Sequence, residues 1–451
     1  MKATLHELAA KITDKKENDR NFNASSLIEQ LSPSEIARLI ESLPTKFRKS
    51  LWINLPSNQK GEVLLDLHRD IRRRLIQQTP DNHLLDCLTS MQIDELADID
   101  EDLPESVVGT MVGAMDSQRL QRYNLLKDFP DDTAGGLMDT DAIAIRADVS
   151  LKAVYRYLCQ MRRKFGDLPE HFDSLVVVDR NNQVQGSLKL SDLVSLDNSR
   201  LVSEAMNSND PLITSLTPAN EVAQLFEDRD LVSAIVVDDE KRMLGRITVD
   251  DVIDVLRDEA ESEIYGKAGL SKDSDMFAPV VKSAFKRAIW LGTNLITAFI
   301  AAGVIGLFEA SIEQLVALAV LMPVVASMGG ITGSQTLTLV TRGIALQQVG
   351  SDNIGPLTRH ELKVSALNGI LWSAVVFLVA VFWYQDWQLG LVFAVALFAV
   401  SLAGTISGAL IPLGLKRMGV DPAIAGGVVL TTITDAVGFL IFLGAASRFL
   451  L

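Results

Sequence analysis

The sequence predicts a multi-domain fold class: an all-α superhelical N-terminal domain, an α/β tandem repeat, an acidic connecting helix and a five-helix α transmembrane domain. Three observations predict it. Leu-Pro recurs between short amphipathic runs in the first 130 residues, a 22-residue motif recurs at an offset of 59, and five long uncharged stretches crowd the C-terminal part.

Residues 1–130 are read as a helical cytoplasmic domain. Leu43–Pro44, Leu55–Pro56 and Leu103–Pro104 separate runs such as "SEIARLIES" and "KGEVLLDL". Proline is tolerated in a helix's first turn but not in its interior. The spacing therefore predicts short helices in a repeat-like stack, or an irregular helical domain. Neither version suggests an active site.

Residues 131–255 carry the repeat. "SLVVVDRNNQVQGSLKLSDLVS" begins at Ser174 and "SAIVVDDEKRMLGRITVDDVID" at Ser233; Gly186 matches Gly245, and Asp192 matches Asp251. Each copy reads as strand, polar turn, strand and helix start. Each follows a Met, Met138 or Met206. This resembles a tandem pair of cystathionine-β-synthase (CBS) domains. Such pairs often bind adenine nucleotides such as ATP through Gly-x-x-Thr/Ser-x-x-Asp. The second copy has Gly245, Thr248 and Asp251, whereas the first has Lys189 in place of the hydroxyl. The resemblance implies at most one good nucleotide site. A second reading stays open, in which Thr248 and Asp251 cap the helix that follows.

Residues 250–280 are read as an acidic connecting helix. From Asp250 to Glu263 there are seven acids and one Arg257. Asp250–Asp254, Asp254–Asp258 and Glu259–Glu263 are like-charge pairs four apart, each costing about 0.2–0.5 kcal/mol on an isolated helix. Bound divalent cations or basic residues elsewhere would offset that repulsion; a solvated acidic face is the alternative. Mg²⁺ is held by a few carboxylates with waters retained.

Residues 281–451 read as the membrane part. The uncharged stretches are Ala288–Phe308, Gln314–Thr341, Val364–Gln385, Trp387–Leu415 and Pro422–Ser447, the last broken only by Asp435. Each exceeds the roughly 20 residues that cross a bilayer as a helix. Lys282, Lys286, Arg287, Arg342, Arg359, Lys363, Lys416 and Arg417 all fall on one side. The positive-inside rule then makes the N-terminal domains cytoplasmic, with the C-terminus outside a cell (inner or plasma) membrane. No signal-peptide pattern opens the chain. Cys87 and Cys159 are read as reduced and structural.

The formal net charge of −15 argues against nucleic acid and against anionic lipid as the soluble region's main partner. It suits a surface that meets cations. A carboxylate at bilayer depth costs about 2.5–3.5 kcal/mol on insertion scales, so Asp435 needs a reason. A water-filled cation path is one; hydrogen bonds from Thr431, Thr432 or Thr434 are another.

Taken together, "DTAGGLM" at Asp132–Met138, "TVDDVIDV" at Thr248–Val255, "MGGITGSQTLTLVTRG" at Met328–Gly343, "GVDPA" at Gly419–Ala423 and "TTITDAVGF" at Thr431–Phe439 resemble the MgtE family of Mg²⁺ channels over nearly the whole chain. The resemblance implies a homodimer whose two-fold axis brings two copies of Asp435 to one pore, as acidic rings select cations elsewhere. It implies sensor acids at Asp94, Asp98, Asp230, Asp251, Asp254, Glu259, Glu263 and Asp421, bridged by cytoplasmic Mg²⁺ so that a plug helix shuts the pore. The chain departs from the family pattern at Ile331, at Gly426–Val428 and at Ser262. The resulting expectation is a Mg²⁺-gated Mg²⁺ channel. Its alternatives are a broader carrier of Co²⁺, Mn²⁺ or Ni²⁺, and a membrane-anchored adenylate sensor without transport. The five stretches lack His and Cys, which favours a hard, oxygen-bound ion. Nothing resembles a nucleophile–base pair or a P-loop, so no enzyme is expected.

Overall fold

The computed structural model describes residues 31–451 apart from 90, 167, 169–171, 347 and 351–352, together with positions 9 and 12. The chain forms two compact units: Met1–Glu261 with Asp273–Ala278, and Ser262–Lys272 with Pro279–Leu451.

The N-terminal part of the first unit is a stack of short helices: Pro33–Ser42, Thr45–Ile53, Ser57–Asp66, Arg69–Gln78, Asp81–Leu88, Ile93–Ile99, Glu105–Ala114 and Ser117–Lys127. Pro44, Pro56 and Pro104 are N-caps, as the Leu-Pro spacing predicts, and Pro80 is a fourth. At an N-cap the missing N–H of proline costs nothing, because that group has no helical partner. Ser32 caps the first described helix in a reciprocal box with Glu35, at 3.2 and 2.9 Å. One leucine- and isoleucine-rich core runs through the stack, with Ile36, Leu39, Leu64, Ile76, Leu84 and Ile99 fully enclosed. Burying each side chain of this kind is worth about 1.5–3 kcal/mol.

The repeat folds as two three-stranded sheets, each one parallel and one antiparallel pairing. The first is β1 (Ala144–Arg146), β2 (Ser174–Val178) and β3 (Val184–Lys189); the second is β4 (Leu212–Thr214), β5 (Ser233–Val237) and β6 (Met243–Thr248). The offset of 59 survives in the register: Ser174 pairs with Lys189, and Ser233 with Thr248. Equivalent residues also meet each other. The Ser174 and Ser233 hydroxyls lie 3.4 Å apart, and Gln183 bridges Arg242. A local two-fold axis therefore passes between the copies. The segments after the two Met residues are exchanged: Asp139 pairs with Arg246 of the second sheet, and Asn207 with Ser187 of the first. Gly186 and Gly245 make room, since a β-carbon there would lie 2.1 Å from the Asn207 carbonyl and 2.5 Å from the Asp139 carbonyl.

The connecting helix spans Val249–Lys267, so residues 268–279 of the expected 250–280 element are not helical. Gly269 ends it with φ +66°, where Leu270 N–H donates to the Tyr265 carbonyl at 2.9 Å. The Trp290 ring also lies 2.1 Å from where a Gly269 β-carbon would stand.

Five helices are long and apolar enough to cross a membrane: Val280–Gly306, Ala317–Ala345, Ile354–Tyr384, Trp387–Arg417 and Pro422–Phe449. They overrun the apolar stretches at their basic ends. The third begins at Ile354, so the exposed His360 lies inside a helix; the expectation that the five segments lack His is corrected to that extent. Helical hydrogen bonding continues past the apolar boundary because the backbone needs no apolar side chain to do so. The fourth helix is central, with 61% of its apolar window buried, against 6% for the first. It meets the second backbone to backbone. β-Carbons at Gly404 and Gly408 would lie 2.6 and 2.3 Å from the carbonyls of Gly329 and Gly333. Small residues four apart permit this approach where no hydrophobic force between helices exists.

Candidate metal sites

The first site is a cavity of about 570 Å³ lined by Asp94, Asp98, Asp100, Glu101, Asp128, Asp131 and Asp132, with Lys127 as its basic group. Asp94 and Asp98 stand four apart on helix Ile93–Ile99 and so share one face. Asp100 is already answered. It accepts from Lys127 at 2.6 Å and from the Tyr123 hydroxyl. Asp94 and Asp98 are not. Desolvation and the neighbouring Asp139 push Asp94 up to about 7. Asp98 is exposed at the cavity wall; desolvation and Asp131, with Asp251 and Glu95 adding, push it up to about 7 against the pull of Arg72.

Asp251 belongs to the same cluster. Its carboxylate accepts from the Thr248 backbone N–H at 3.1 Å and the Thr248 hydroxyl at 3.0 Å. Burial still pushes its pKa up, with Asp250 and Asp139 adding. Half of the capping reading is present: Asp251 accepts from the N–H of Thr248, just ahead of the helix, while the Thr248 hydroxyl donates to acids rather than accepting from the helix. Asp254, whose side chain is 63% accessible, is raised by partial desolvation and by Asp258, Asp66 and Asp250, against Arg257 at 3.1 Å. Asp66, Asp131 and Asp139 join the cluster through these fields, and none was singled out in the sequence. Their signal was weak: Asp66 reads as one polar position of the run "KGEVLLDL", and Asp131 and Asp139 lie outside any helical run.

Among the described residues no three His, Cys, Asp or Glu side chains converge on a point. The acids form a field of negative charge rather than a finished cage. That donor set suits a hard cation that keeps several waters, since Mg²⁺ dehydrates reluctantly and is commonly held by one or two carboxylates.

The other expected sensor residues are dispersed. Asp230 is exposed at a left-handed C-cap, φ +50°, apart from the cavity acids in its bonding. Glu259 is exposed on the connecting helix, and Glu263 pairs with Lys267 at 2.8 Å. Asp421 caps the last membrane helix, accepting from Ala423 N–H at 2.8 Å. Glu263 and Lys267 also line a second cavity, about 330 Å³, with Ser334, Thr338 and Thr341 of the second membrane helix and Thr431 of the last.

Asp435 lies one turn beyond Thr431. It is half-buried, and its carboxylate has neither hydrogen bond nor ion pair among the described residues. The threonines that could have held it turn to their own helix. Thr431 donates to the Gly427 and Val428 carbonyls, Thr432 to Val428, and Thr434 to Leu430 and Thr431. The alternative of a threonine-bonded structural acid therefore fails on geometry.

Comparison with known proteins agrees in extent with this architecture. Residues 322–445 match the family described as a divalent cation transporter, 31–132 the MgtE intracellular N domain, and 202–258 a CBS domain. The magnesium transporter MgtE of Bacillus subtilis (strain 168) is 29% identical over 94% of this chain and 93% of its own length. That of Enterococcus faecalis is 30% identical over 71% of this chain and 70% of its own. The crystal structure of the cytosolic domain of the Mg²⁺ channel MgtE in complex with ATP is 28% identical, covers 55% of this chain and 99% of that one, and has a TM-score of 0.48. With the helical N domain, the CBS repeat and the five-helix membrane part all in place, the chain belongs to the MgtE family, a family of membrane transporters and not of enzymes.

Proposed function

We propose that this chain conducts Mg²⁺ across a cell membrane as a homodimer, with Asp435 at the pore axis and with closure driven by cytoplasmic Mg²⁺. One observation supports the conduction reading: an acid in the middle of the last membrane helix with no partner among the described residues. An unanswered carboxylate at that depth is stable only where water and cations reach it. Two-fold symmetry would place a pair of such acids around one hydrated ion, held through its waters. An inside-negative potential would assist entry by about 2.3 kcal/mol per charge per 100 mV, doubled for a divalent ion.

The gating reading rests on the acid cluster. Cytoplasmic Mg²⁺ would bind between Asp94, Asp98, Asp251 and Asp254, and toward Glu259, Glu263, Asp230 and Asp421. Binding shifts the pore equilibrium only through its preference for the closed arrangement. Basic residues in the short loops would keep these domains cytoplasmic and the C-terminus outside. An adenine nucleotide at Gly245, Thr248 and Asp251 would have to displace the Thr248–Asp251 cap. Oxygen ligation by the Asp435 carboxylate would suit hard ions such as Mg²⁺ better than Co²⁺ or Ni²⁺.

The test is ion flux into liposomes holding the purified protein, with competing cations. Wild type should take up Mg²⁺, and uptake should fall as Mg²⁺ rises on the cytoplasmic face. Asp435→Ala should lose flux with the dimer intact; wild-type flux in that variant sinks the conduction reading.

A further inference from the structure

Residues 273–278 return to the first unit after the connecting helix has left it. We propose that the N-terminal domain holds this strap in a clasp that needs no metal, and so anchors the chain directly ahead of the first membrane helix.

The clasp centres on Asp275, whose side chain is fully enclosed. Arg48 grips it with two nitrogens: Nη1 donates to Oδ2 and Nη2 to Oδ1, each at 2.8 Å. Arg74 Nη1 donates to Oδ2 at 2.8 Å, and the Phe277 backbone N–H to Oδ1 at 2.8 Å. Four donors satisfy one carboxylate. Paired, bidentate guanidinium geometry is the condition under which a buried charge is tolerated.

Arg48 is itself fixed by the N-terminal domain. Its Nε donates to the carbonyls of Ile40 and Leu43, at 2.9 and 2.7 Å, and its Nη2 to Glu41 at 3.0 Å. These carbonyls lie at the C-terminal end of helix Pro33–Ser42, where helical partners run out. Arg48 thus links a helix end to the strap. The strap's backbone is held as well: the Thr45 hydroxyl donates to the Phe277 carbonyl at 2.9 Å, and the Phe277 ring lies 5.6 Å from the Arg48 guanidinium carbon.

The clasp differs in kind from the acid cluster. It brings its own cations, Arg48 and Arg74, so it stays closed at low Mg²⁺ while Asp94 and Asp98 are repelled by the acids around them. Ala278 and Pro279 alone separate it from Val280, where the first membrane helix starts. The N-terminal domain therefore holds residues 273–278 with or without Mg²⁺. Arg48, Arg74 and Asp275 are positioning residues.

The test is limited chymotrypsin digestion of the full-length protein in nanodiscs with EDTA, following cleavage after Phe277. Wild type should be cut slowly, with or without Mg²⁺. Asp275→Ala should speed that cut on the order of 100-fold, because a broken buried pair opens the strap and cleavage tracks the open fraction. The N-terminal domain should stay intact, since Arg48 keeps its three carbonyl partners and gains water once the strap leaves. Thr45→Val removes a single neutral bond and should speed the cut about fivefold, which decides the matter if Asp275→Ala loosens the whole domain. Wild type cut as fast as Asp275→Ala in EDTA, or protected only when Mg²⁺ is added, overturns the clasp. Unchanged cleavage in both variants overturns it too. No outcome depends on Mg²⁺ flux, so this test and the test of conduction can fail separately.

Discussion

The N-terminal domain treats two groups of carboxylates in opposite ways. Around helix Arg69–Gln78 every buried acid is answered. Asp102, 1% exposed at its side chain, receives Arg69, Arg72 and Arg73 at 3.2, 2.7 and 2.6 Å, and the carboxyl sits below the usual carboxylate range despite its burial. Asp275 receives Arg48 and Arg74 and is likewise lowered. On helix Ile93–Ile99, Asp94 and Asp98 meet mostly further acids and rise to about 7. The guanidinium groups bond the first group, and only the field of Arg72 reaches the second. A group left unanswered is available to a mobile cation; a group already answered is not. Asp435 is the membrane counterpart of the unanswered kind.

The contrast can be broken most sharply at Asp435. The cost of the acid at depth, about 2.5–3.5 kcal/mol, sets the scale of the cation stabilisation that offsets it, so Asp435→Asn should cut Mg²⁺ flux about a hundredfold at unchanged side-chain size. Liposome uptake reads this, and flux within twofold of wild type would place Asp435 off the path.

The next largest effect belongs to an answered acid. Asp102→Ala leaves three guanidinium groups around an empty position and should destabilise the N-terminal domain by about 3–5 kcal/mol, measured by urea unfolding. A loss below about 1 kcal/mol would mean the arginines are hydrated in the native state.

An unanswered acid should respond with the opposite sign. Asp98→Asn removes repulsion, so in EDTA its melting temperature should rise by about 2 °C, on the scale of a fraction of a kcal/mol in a domain this size. The stabilisation gained on adding Mg²⁺ should shrink at the same time, because binding stabilises only the state that binds. A fall in melting temperature in EDTA would mean that Asp98 is held by a partner rather than repelled.

The smallest effect is a pH dependence. Asp94 and Asp98 have folded pKa values of about 7, above the ordinary value near 3.9 for an unfolded aspartate. Their protonated forms therefore favour the packed state below the unfolded pKa, and that contribution is lost as pH rises through about 7. In EDTA the cytoplasmic region should resist protease better at pH 6 than at pH 8. Saturating Mg²⁺ should remove the difference by taking the place of the protons. Equal resistance at both pH values in EDTA would show that these acids stay ionised throughout.

How much was legible in advance depended on how far apart the partners lie. Pro44, Pro56 and Pro104 marked helix starts because a proline's restriction acts on its own turn. The two sheets were readable because alternation and turn residues act within a few positions, and the offset of 59 reappears in their register. Asp94 and Asp98 were reached through the family resemblance, and their place on one helix face came from the fold. The Gly329–Gly333 and Gly404–Gly408 approach carried a signal in its four-residue spacing that went unused. Asp66, Asp131 and Asp139 carried only a weak one, because each joins the cluster through residues brought near by folding.

By itself, the sequence determined the five membrane helices, the twofold repeat, the acidic character of the connecting helix and the lone acid of the last span. All of these follow from local composition and short-range periodicity, which any fold of this chain must respect. Tertiary structure alone decided which acids are answered. Arg48 reaches Asp275 across 227 positions, and Arg74 reaches it across 201. The Thr431, Thr432 and Thr434 hydroxyls turned from Asp435 to their own carbonyls. The physical reason is the same in each case. A charge is neutralised by whatever lies within a few ångströms, and over such sequence separations only the packed chain sets that distance.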